Sequence, residues 1–247
     1  EVLQSPHGFL MYALNAKAVG GTAVMAPEPN LTVDVDAMLA AVTPRTKVVF
    51  VANPNNPTGT YLSIGEVKRL HAGLPKEVVL VMDAAYAEFV GRNDYEPGIQ
   101  LVRSAENVVM LRTFSKMYAM GGLRLGWAYC PPAIADALNR VRNPFNVSSA
   151  VQAAALAALD DVEFIERCRA HNDRWLPWLT DALRGLGIEV VPSVANFVLC
   201  RFGTPETANA VDAHLRSRGI IARKVGGYGL PDSIRITIGT EDEMRAT

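Results

Sequence analysis

The chain has 247 residues, of which 49% are apolar and 20% charged, a balance typical of a folded globular protein that excludes a disordered chain. Its 24 Lys and Arg residues against 25 Asp and Glu residues give a net charge of −1, which argues against nonspecific nucleic-acid binding. No apolar run has the length of a membrane span, no signal pattern opens the sequence, and the cysteines are few and widely spaced, so we expect a cytoplasmic protein without membrane contact, structural zinc or another metal.

The first 145 residues alternate short Val- and Ile-rich runs with amphipathic stretches, a pattern that predicts parallel strands joined by helices. The runs are continuously apolar, which suits a sheet covered by helices on both faces. Predicted helices cover Asp34–Val42 and Ser63–Ala72, and Ser63 with Glu66 resembles a capping box at the start of the second. The predicted strands are Lys47–Ala52, Val78–Asp83, Asn107–Arg112 and Leu125–Cys130.

From residue 146 onward, helices and strands no longer alternate strictly, which predicts a smaller α+β domain. This domain begins with two long helices, Ser148–Leu159 and Val162–Leu186, and a third helix is predicted over Pro205–Arg218. The predicted strands are Ile188–Val191, Asn196–Phe202, Ile220–Arg223 and Ser233–Ile238. The sequence therefore predicts two domains, 1–145 and 146–247.

Three loops that follow predicted strands contain the chemically unusual residues, and the carboxyl ends of parallel strands meet in one crevice. Asp83 closes an apolar strand, where a carboxylate must be paired or exposed, although a lone aspartate there would more often be a turn or cap residue. Tyr86 follows three residues later. Asn56 lies in the segment NPNNPTG, whose two X-Pro pairs exclude regular structure and by themselves indicate only a tight turn.

The third loop has the sequence TFSKMYAMGGLRLG and contains Lys116. A solvated surface lysine is the more common interpretation of such a residue. However, Thr113, Ser115 and Arg124 supply hydroxyl and guanidinium donors that together would suit a phosphate. A lysine beside a bound phosphate and under a desolvated ring can form a Schiff base, so we favour a cofactor site.

Taken in order, the motifs NPNNPTG, D-x-x-Y and SKxxxxGGLRLG resemble those of the fold-type I pyridoxal-phosphate (PLP) aminotransferases. The segments TFSKMYAMGGLRLGW, PFNVSSAVQAAALAALDD and GIIARKVGGYGLPDSIRITIGT are similar to those of the histidinol-phosphate aminotransferases within that group. The resemblance implies a large α/β domain with a mostly parallel sheet sandwiched by helices, a smaller α+β domain and a homodimer. It also implies transamination of histidinol phosphate with 2-oxoglutarate.

The same resemblance implies a role for each residue of the cofactor site. Lys116 would bind PLP through a Schiff base, and Asp83 would pair with the pyridine nitrogen and keep it protonated. Asn56 and Tyr86 would hydrogen-bond the phenolic oxygen of the ring. Phe9 matches the position, commonly a tyrosine, whose aromatic ring stacks on PLP. The residues implied to bind the cofactor phosphate are Thr113, Ser115 and Arg124.

Two arginines near the end of the sequence match family residues that bind the substrate. Arg235, in SIRITIG, corresponds to the arginine that holds the substrate carboxylate, for which a bidentate guanidinium is suited. Arg223 corresponds to a second arginine that helps to hold the substrate phosphate. An arginine followed by Lys224 fits a solvated surface pair equally well.

Members of this family carry roughly a hundred more residues at the N-terminus, about one small domain, including a turn that binds the cofactor phosphate, and the sequence stops before their last helix is complete. We therefore expect either part of a longer protein or a truncated, inactive homologue, and the intact motifs favour the first. Three alternative functions stay open. They are a PLP-dependent decarboxylase of a phosphorylated amino acid such as threonine phosphate, another class I or II aminotransferase, and a non-catalytic PLP-binding regulatory domain.

Overall fold

A computed structural model describes all 247 residues and contains two β-sheets, the larger of which has six strands. The strands are β1 (Val2–Gln4), β2 (Ala23–Met25), β3 (Val48–Ala52), β4 (Val79–Asp83), β5 (Val108–Thr113) and β6 (Gly126–Tyr129). They lie in the order β2-β1-β3-β4-β5-β6, and every neighbouring pair is parallel except β5 and β6. The predicted mostly parallel sheet is confirmed.

Helices cover this sheet and complete its core. Those between β1 and β5 are α1 (Met11–Ala18), α2 (Val35–Ala40), α3 (Ile64–Gly73) and α4 (Ile99–Ser104). The apolar centres of the strands pack against Met38 of α2 and against Val67 and Leu70 of α3, all of which are buried. Ser63 caps α3 by accepting a hydrogen bond from the Glu66 amide, whereas the Glu66 carboxylate pairs with Arg69, so only half of the predicted capping box forms.

The prediction that Leu125–Cys130 is a covered parallel strand was wrong. The strand β6 runs antiparallel to β5, because the loop that joins them contains no crossover helix and Gly126 returns to pair with Thr113. It is an edge strand, and the side chains of Trp127 and Tyr129 are 43% and 38% exposed. The following helix α5 (Pro132–Val141) has no buried residue.

The second sheet is smaller and entirely antiparallel, with the order β7-β8-β10-β9. Its strands are β7 (Glu189–Val191), β8 (Phe197–Arg201), β9 (Arg223–Lys224) and β10 (Ser233–Thr237). The helices of this half of the chain are α6 (Ser149–Asp160), α7 (Val162–Gly185), α8 (Pro205–Ser217) and α9 (Glu241–Ala246). Trp175 and Leu179 of α7 pack on Val198 and Ile234 to form its core. The predicted strand Ile220–Arg223 was wrong in position, since only its last residue lies in β9.

The two sheets contact each other beside the carboxyl ends of β4 and β5. Tyr86, which follows β4, packs edge-on against Phe197 of β8, with ring centres 5.2 Å apart and an interplanar angle of 81°. Phe89, Met117 and Ala195 complete this buried cluster. None of the helices combines the length and the apolar character that a membrane-spanning segment requires.

Candidate active site

The three loops that follow β3, β4 and β5 surround one cavity of about 370 Å³, a volume typical of small-molecule sites. Because the three strands are parallel, their carboxyl ends lie at the same edge of the sheet. Eight of the ten residues predicted from the sequence line this cavity, namely Phe9, Asn56, Asp83, Tyr86, Thr113, Ser115, Lys116 and Arg124.

The carboxylate of Asp83 lies at the end of β4 and faces the cavity. One of its oxygens, Oδ2, accepts a hydrogen bond of 2.5 Å from the Tyr12 hydroxyl, and Oδ1 accepts one of 3.2 Å from the Ala85 amide. Burial raises the pKa of Asp83, while these two hydrogen bonds and the nearby Lys116 ammonium oppose the rise. Asp83 is therefore a partly buried carboxylate that a cationic partner in the cavity would stabilise.

Lys116 lies in the loop after β5, with its side chain open to the cavity. Desolvation by the surrounding protein lowers its pKa, and the positive charges of Arg235 and Arg124 lower it further. A lowered pKa increases the fraction of neutral amine, which is the nucleophilic form. The amine also lies 5.2 Å from the centre of the Tyr86 ring, so the lysine and the tyrosine face the same space.

Arg235 reaches the same site from the small sheet. Its Nη1 donates a hydrogen bond to Oδ1 of Asn56, which leaves the Asn56 NH₂ group as the donor available to a ligand. The guanidinium carbon lies 4.8 Å above the Phe197 ring. The Nε of Arg235 is buried and has no hydrogen-bond partner, so one donor of this side chain stays unsatisfied next to the site.

The loop that carries Lys116 is held by its own polar residues. The Thr113 hydroxyl accepts a hydrogen bond from the Ser115 amide and donates one to the Leu125 carbonyl, so this hydroxyl shapes the loop. Arg124 has a left-handed backbone with φ of 55°, a conformation that is uncommon for residues other than glycine and is often found at functional sites. Its guanidinium donates to the Gly121 carbonyl at 2.7 Å.

Arg223 does not join the cavity. It is exposed on β9, where it pairs in register with Arg235 of β10, so the two side chains lie on the same face of the small sheet. Arg235 alone of the two reaches Asn56.

Two polar side chains of the cavity wall, those of Tyr12 and Arg112, could not be named from the sequence motifs. Tyr12 lies three residues after Phe9, a spacing that places both on one side of a helical turn and could have indicated it. Arg112, at the end of β5, also lines the cavity and is ion-paired with the buried Glu88 carboxylate at 2.6 Å. Its position on a strand gave no sequence signal. Successive side chains of a strand point to opposite faces of the sheet, and the sequence does not tell which of them meet the cavity.

Comparison with known proteins assigns a class to this arrangement. The family model for aminotransferases of class I and II matches residues 1–247. The chain belongs to this family.

The individual relatives are more specific. The chain is 63% identical over 245 residues to a histidinol-phosphate aminotransferase of Paramagnetospirillum magneticum, covering 98% of this chain and 68% of that protein. A histidinol-phosphate aminotransferase of Rhodospirillum centenum is 59% identical, covering 99% of this chain and 68% of the relative. The chain thus spans about two thirds of the length of these relatives.

Solved structures agree with the fold. The crystal structure of a histidinol-phosphate aminotransferase from Sinorhizobium meliloti in complex with pyridoxal 5′-phosphate has a TM-score of 0.90 at 31% identity, covering 99% of this chain and 67% of that one. An L-threonine-O-3-phosphate decarboxylase from Porphyromonas gingivalis has a TM-score of 0.80 at 22% identity, covering all of this chain and 74% of the other, a likeness that shows the fold alone.

The residues of the cavity fit PLP. A buried carboxylate suits a protonated pyridine nitrogen, and an amine with a lowered pKa suits an aldehyde. A free amide NH₂ and a phenol suit the phenolic oxygen, while a hydroxyl and a guanidinium suit the phosphate. The unsatisfied Arg235 Nε is a further donor that an anionic ligand would satisfy.

Proposed function

We propose that this protein is a PLP-dependent aminotransferase that transfers the amino group of histidinol phosphate to 2-oxoglutarate, giving imidazole-acetol phosphate and glutamate. The observation that carries the proposal is the grouping of Lys116, Asp83 and Asn56 around one cavity, with Arg235 hydrogen-bonded to Asn56. The substrate assignment is supported by curated relatives at 54% to 63% identity over nearly the whole chain, which are histidinol-phosphate aminotransferases.

Four residues would hold the ring of the cofactor. Asp83 would keep the pyridine nitrogen protonated, because a buried carboxylate gains most when its partner is a cation. Asn56 and Tyr86 would donate to the phenolic oxygen, and Arg235 fixes the Asn56 amide in the orientation this needs. Phe9, 36% exposed at the cavity wall, would stack on the ring face.

Two residues of the lysine loop would bind the cofactor phosphate directly. These are Ser115 and Arg124, which offer a hydroxyl and a guanidinium at the cavity wall. Thr113 would support them by holding the loop, because its hydroxyl accepts a hydrogen bond from the Ser115 amide.

Lys116 would both hold the cofactor through its Nζ and move the proton that transamination requires. When bound, PLP supplies an electron-accepting ring that stabilises negative charge at the substrate Cα. The freed Lys116 amine would remove the Cα proton as a general base, a task that its lowered pKa favours at neutral pH.

Arg235 would bind the anionic group of each substrate. Its planar guanidinium can donate two hydrogen bonds to the carboxylate of glutamate or, in the same bidentate manner, to the phosphate of histidinol phosphate. Arg223 would add charge for the phosphate dianion, because it lies beside Arg235 on the same face of the sheet.

We further propose a homodimer in the cytoplasm with two domains, 1–145 and 146–247. The homodimer is supported by exposed apolar side chains at the end of the large sheet, which a second copy of the chain would cover. Trp127 of β6 is 43% exposed and Leu156 of α6 is 66% exposed. The three cysteines are unpaired, which is consistent with a reducing compartment.

The test is a half-reaction of the PLP-loaded protein with each amino substrate alone. Histidinol phosphate and glutamate should each convert the cofactor to its amino form, which the loss of the absorbance of the lysine-bound form reports. Free imidazole-acetol phosphate should appear from histidinol phosphate, and 2-oxoglutarate should appear from glutamate without release of carbon dioxide. No spectral change with histidinol phosphate, but a normal change with glutamate, would contradict the substrate assignment and keep the aminotransferase class.

A further inference from the structure

Tyr12 is a buried tyrosine that the proposed roles above do not use. It is the second residue of α1, is 6% exposed, and borders the cavity. Its ring stacks on Phe50 of β3 with centres 4.4 Å apart and an angle of 10°, and it forms a T-shaped pair with the Phe9 ring, whose centre is 5.8 Å away. Contacts on both sides therefore fix where the hydroxyl points.

The hydroxyl points at Asp83. The 2.5 Å hydrogen bond from Tyr12 reaches Oδ2, while the Ala85 amide serves Oδ1, so each carboxylate oxygen has one donor from the protein. The Ala85 bond is local and involves a backbone group two residues away. Tyr12 is thus the side chain that ties Asp83 to another element of the fold.

We propose that Tyr12 is a positioning residue of the cofactor site, which through its hydroxyl holds the Asp83 carboxylate ionised and oriented toward the ring nitrogen of PLP. This inference rests on the proposed function. Tyr12 acts through Asp83, because its one hydroxyl proton is already donated to that carboxylate.

The protonation behaviour of the pair agrees with this geometry. Burial raises the pKa of Tyr12 well above its ordinary value, and the adjacent Asp83 charge raises it further, so the hydroxyl stays a donor. For Asp83, burial raises the pKa and the Tyr12 hydrogen bond lowers it. The other titratable groups that act on this pair are Lys116, which lowers the pKa of Asp83, and Tyr228 and Tyr86, which raise the pKa of Tyr12.

The first experiment measures the titration of the Asp83 carboxyl in the cofactor-free protein by carbon-13 NMR, with the resonance assigned from Asp83→Asn. Tyr12→Phe keeps the stacked ring and removes only the donor, so the pKa of Asp83 should rise. Tyr95→Phe is the matched control, since Tyr95 donates its hydroxyl to the Asn53 carbonyl at 2.8 Å and not to Asp83. An unchanged Asp83 titration in Tyr12→Phe overturns the inference.

The second experiment measures the dissociation constant of PLP. A lost hydrogen bond to a charged group should weaken binding by about tenfold or more in Tyr12→Phe. The same substitution should have little effect in the Asp83→Asn background, or when the ligand is a PLP analogue with carbon in place of the ring nitrogen.

The outcomes separate the two proposals. A wild-type protein that binds no PLP contradicts the proposed function and the cofactor role of Tyr12 together. Normal binding by the wild type with equal binding by Tyr12→Phe contradicts the Tyr12 role alone. An equal loss in the Asp83→Asn background would show that Tyr12 acts on packing and would also overturn it.

Discussion

At the scale of single residues, the account depends most on Lys116. Lys116→Ala should still bind PLP without a covalent bond, because Asp83 and the phosphate donors stay in place. Its turnover should fall by about 10² to 10⁴-fold, the usual contribution of a general acid–base group, or more since the covalent attachment is also lost. Steady-state assays measure this, with the exposed Lys68→Ala as control. A variant with near-normal turnover would exclude Lys116 as the base.

Arg235 and Arg223 differ in their expected effects. Arg235→Lys keeps the charge but loses the planar donor pair and the bond to Asn56, so both half-reactions should slow by about 10 to 100-fold, equivalent to about 1.5–3 kcal/mol.

Arg223→Ala should slow the half-reaction with histidinol phosphate and leave the half-reaction with glutamate nearly unchanged. Single-turnover measurements with each substrate decide this, and equal losses in the Arg223 variant would remove it from the phosphate site.

The environment of Glu28 predicts that the free energy of unfolding depends on pH. Its side chain is 1% exposed, its oxygens lack hydrogen-bond partners, and the His7 Nε2 lies 4.0 Å away. Burial raises the pKa of Glu28 above its value of about 4.5 in the unfolded chain, so the folded state binds this proton more tightly. The free energy of unfolding should therefore decline as the pH rises through that higher pKa.

Glu28→Gln should remove this decline, because the amide does not titrate. Urea unfolding between about pH 4.5 and pH 8 should give a flatter stability profile than the wild type, whereas the exposed Glu77→Gln should follow the wild-type profile. Identical pH profiles for the wild type and Glu28→Gln would show that Glu28 does not carry the effect.

At the scale of elements, the turn into β6 sets the shape of the lysine loop. A Cβ on Gly126 would lie 2.9 Å from the Arg112 carbonyl oxygen, whereas one on Gly122 would meet no atom within 4 Å. Gly126→Ala should therefore destabilise the protein by roughly 1–3 kcal/mol, and Gly122→Ala should change stability by less than about 0.5 kcal/mol. Equal unfolding midpoints for the two variants would contradict this explanation.

The strands with long apolar runs could be predicted because their pattern decides their structure. β3, β4 and β5 lie within one residue of their predicted bounds, since Val- and Ile-rich segments of this kind favour covered strands. The direction and exposure of β6 could not be predicted, because an apolar run gives no information on its partner. The short elements β1 and β2 were missed, since three residues are too few for a periodic signal.

The residues of the candidate site also divide into those that could be predicted from the sequence and those that could not. Asn56, Asp83 and Lys116 could be predicted because each follows a recognisable strand. Tyr12 and Arg112 could not, since their importance depends on contacts with residues that are distant in the chain or across a sheet, Asp83 and Glu88.

At the scale of the whole molecule, the site lies where the two sheets meet. Residues from the large sheet would hold the proposed cofactor, and Arg235 from the small sheet contacts Asn56, which lines the cavity. Closure or separation of the two sheets would therefore change substrate binding and cofactor orientation together.

The proposed homodimer is checked by sedimentation of the active protein, and a fully active monomer would contradict it.

The central claim is that the cavity at the carboxyl ends of the large sheet holds PLP on Lys116. Borohydride reduction of the PLP-loaded protein, followed by digestion and mass spectrometry, tests it most directly. We expect to find the reduced cofactor on the peptide that contains Lys116. Attachment to Lys17, Lys47, Lys68, Lys76 or Lys224, or no attachment at any lysine, would contradict it.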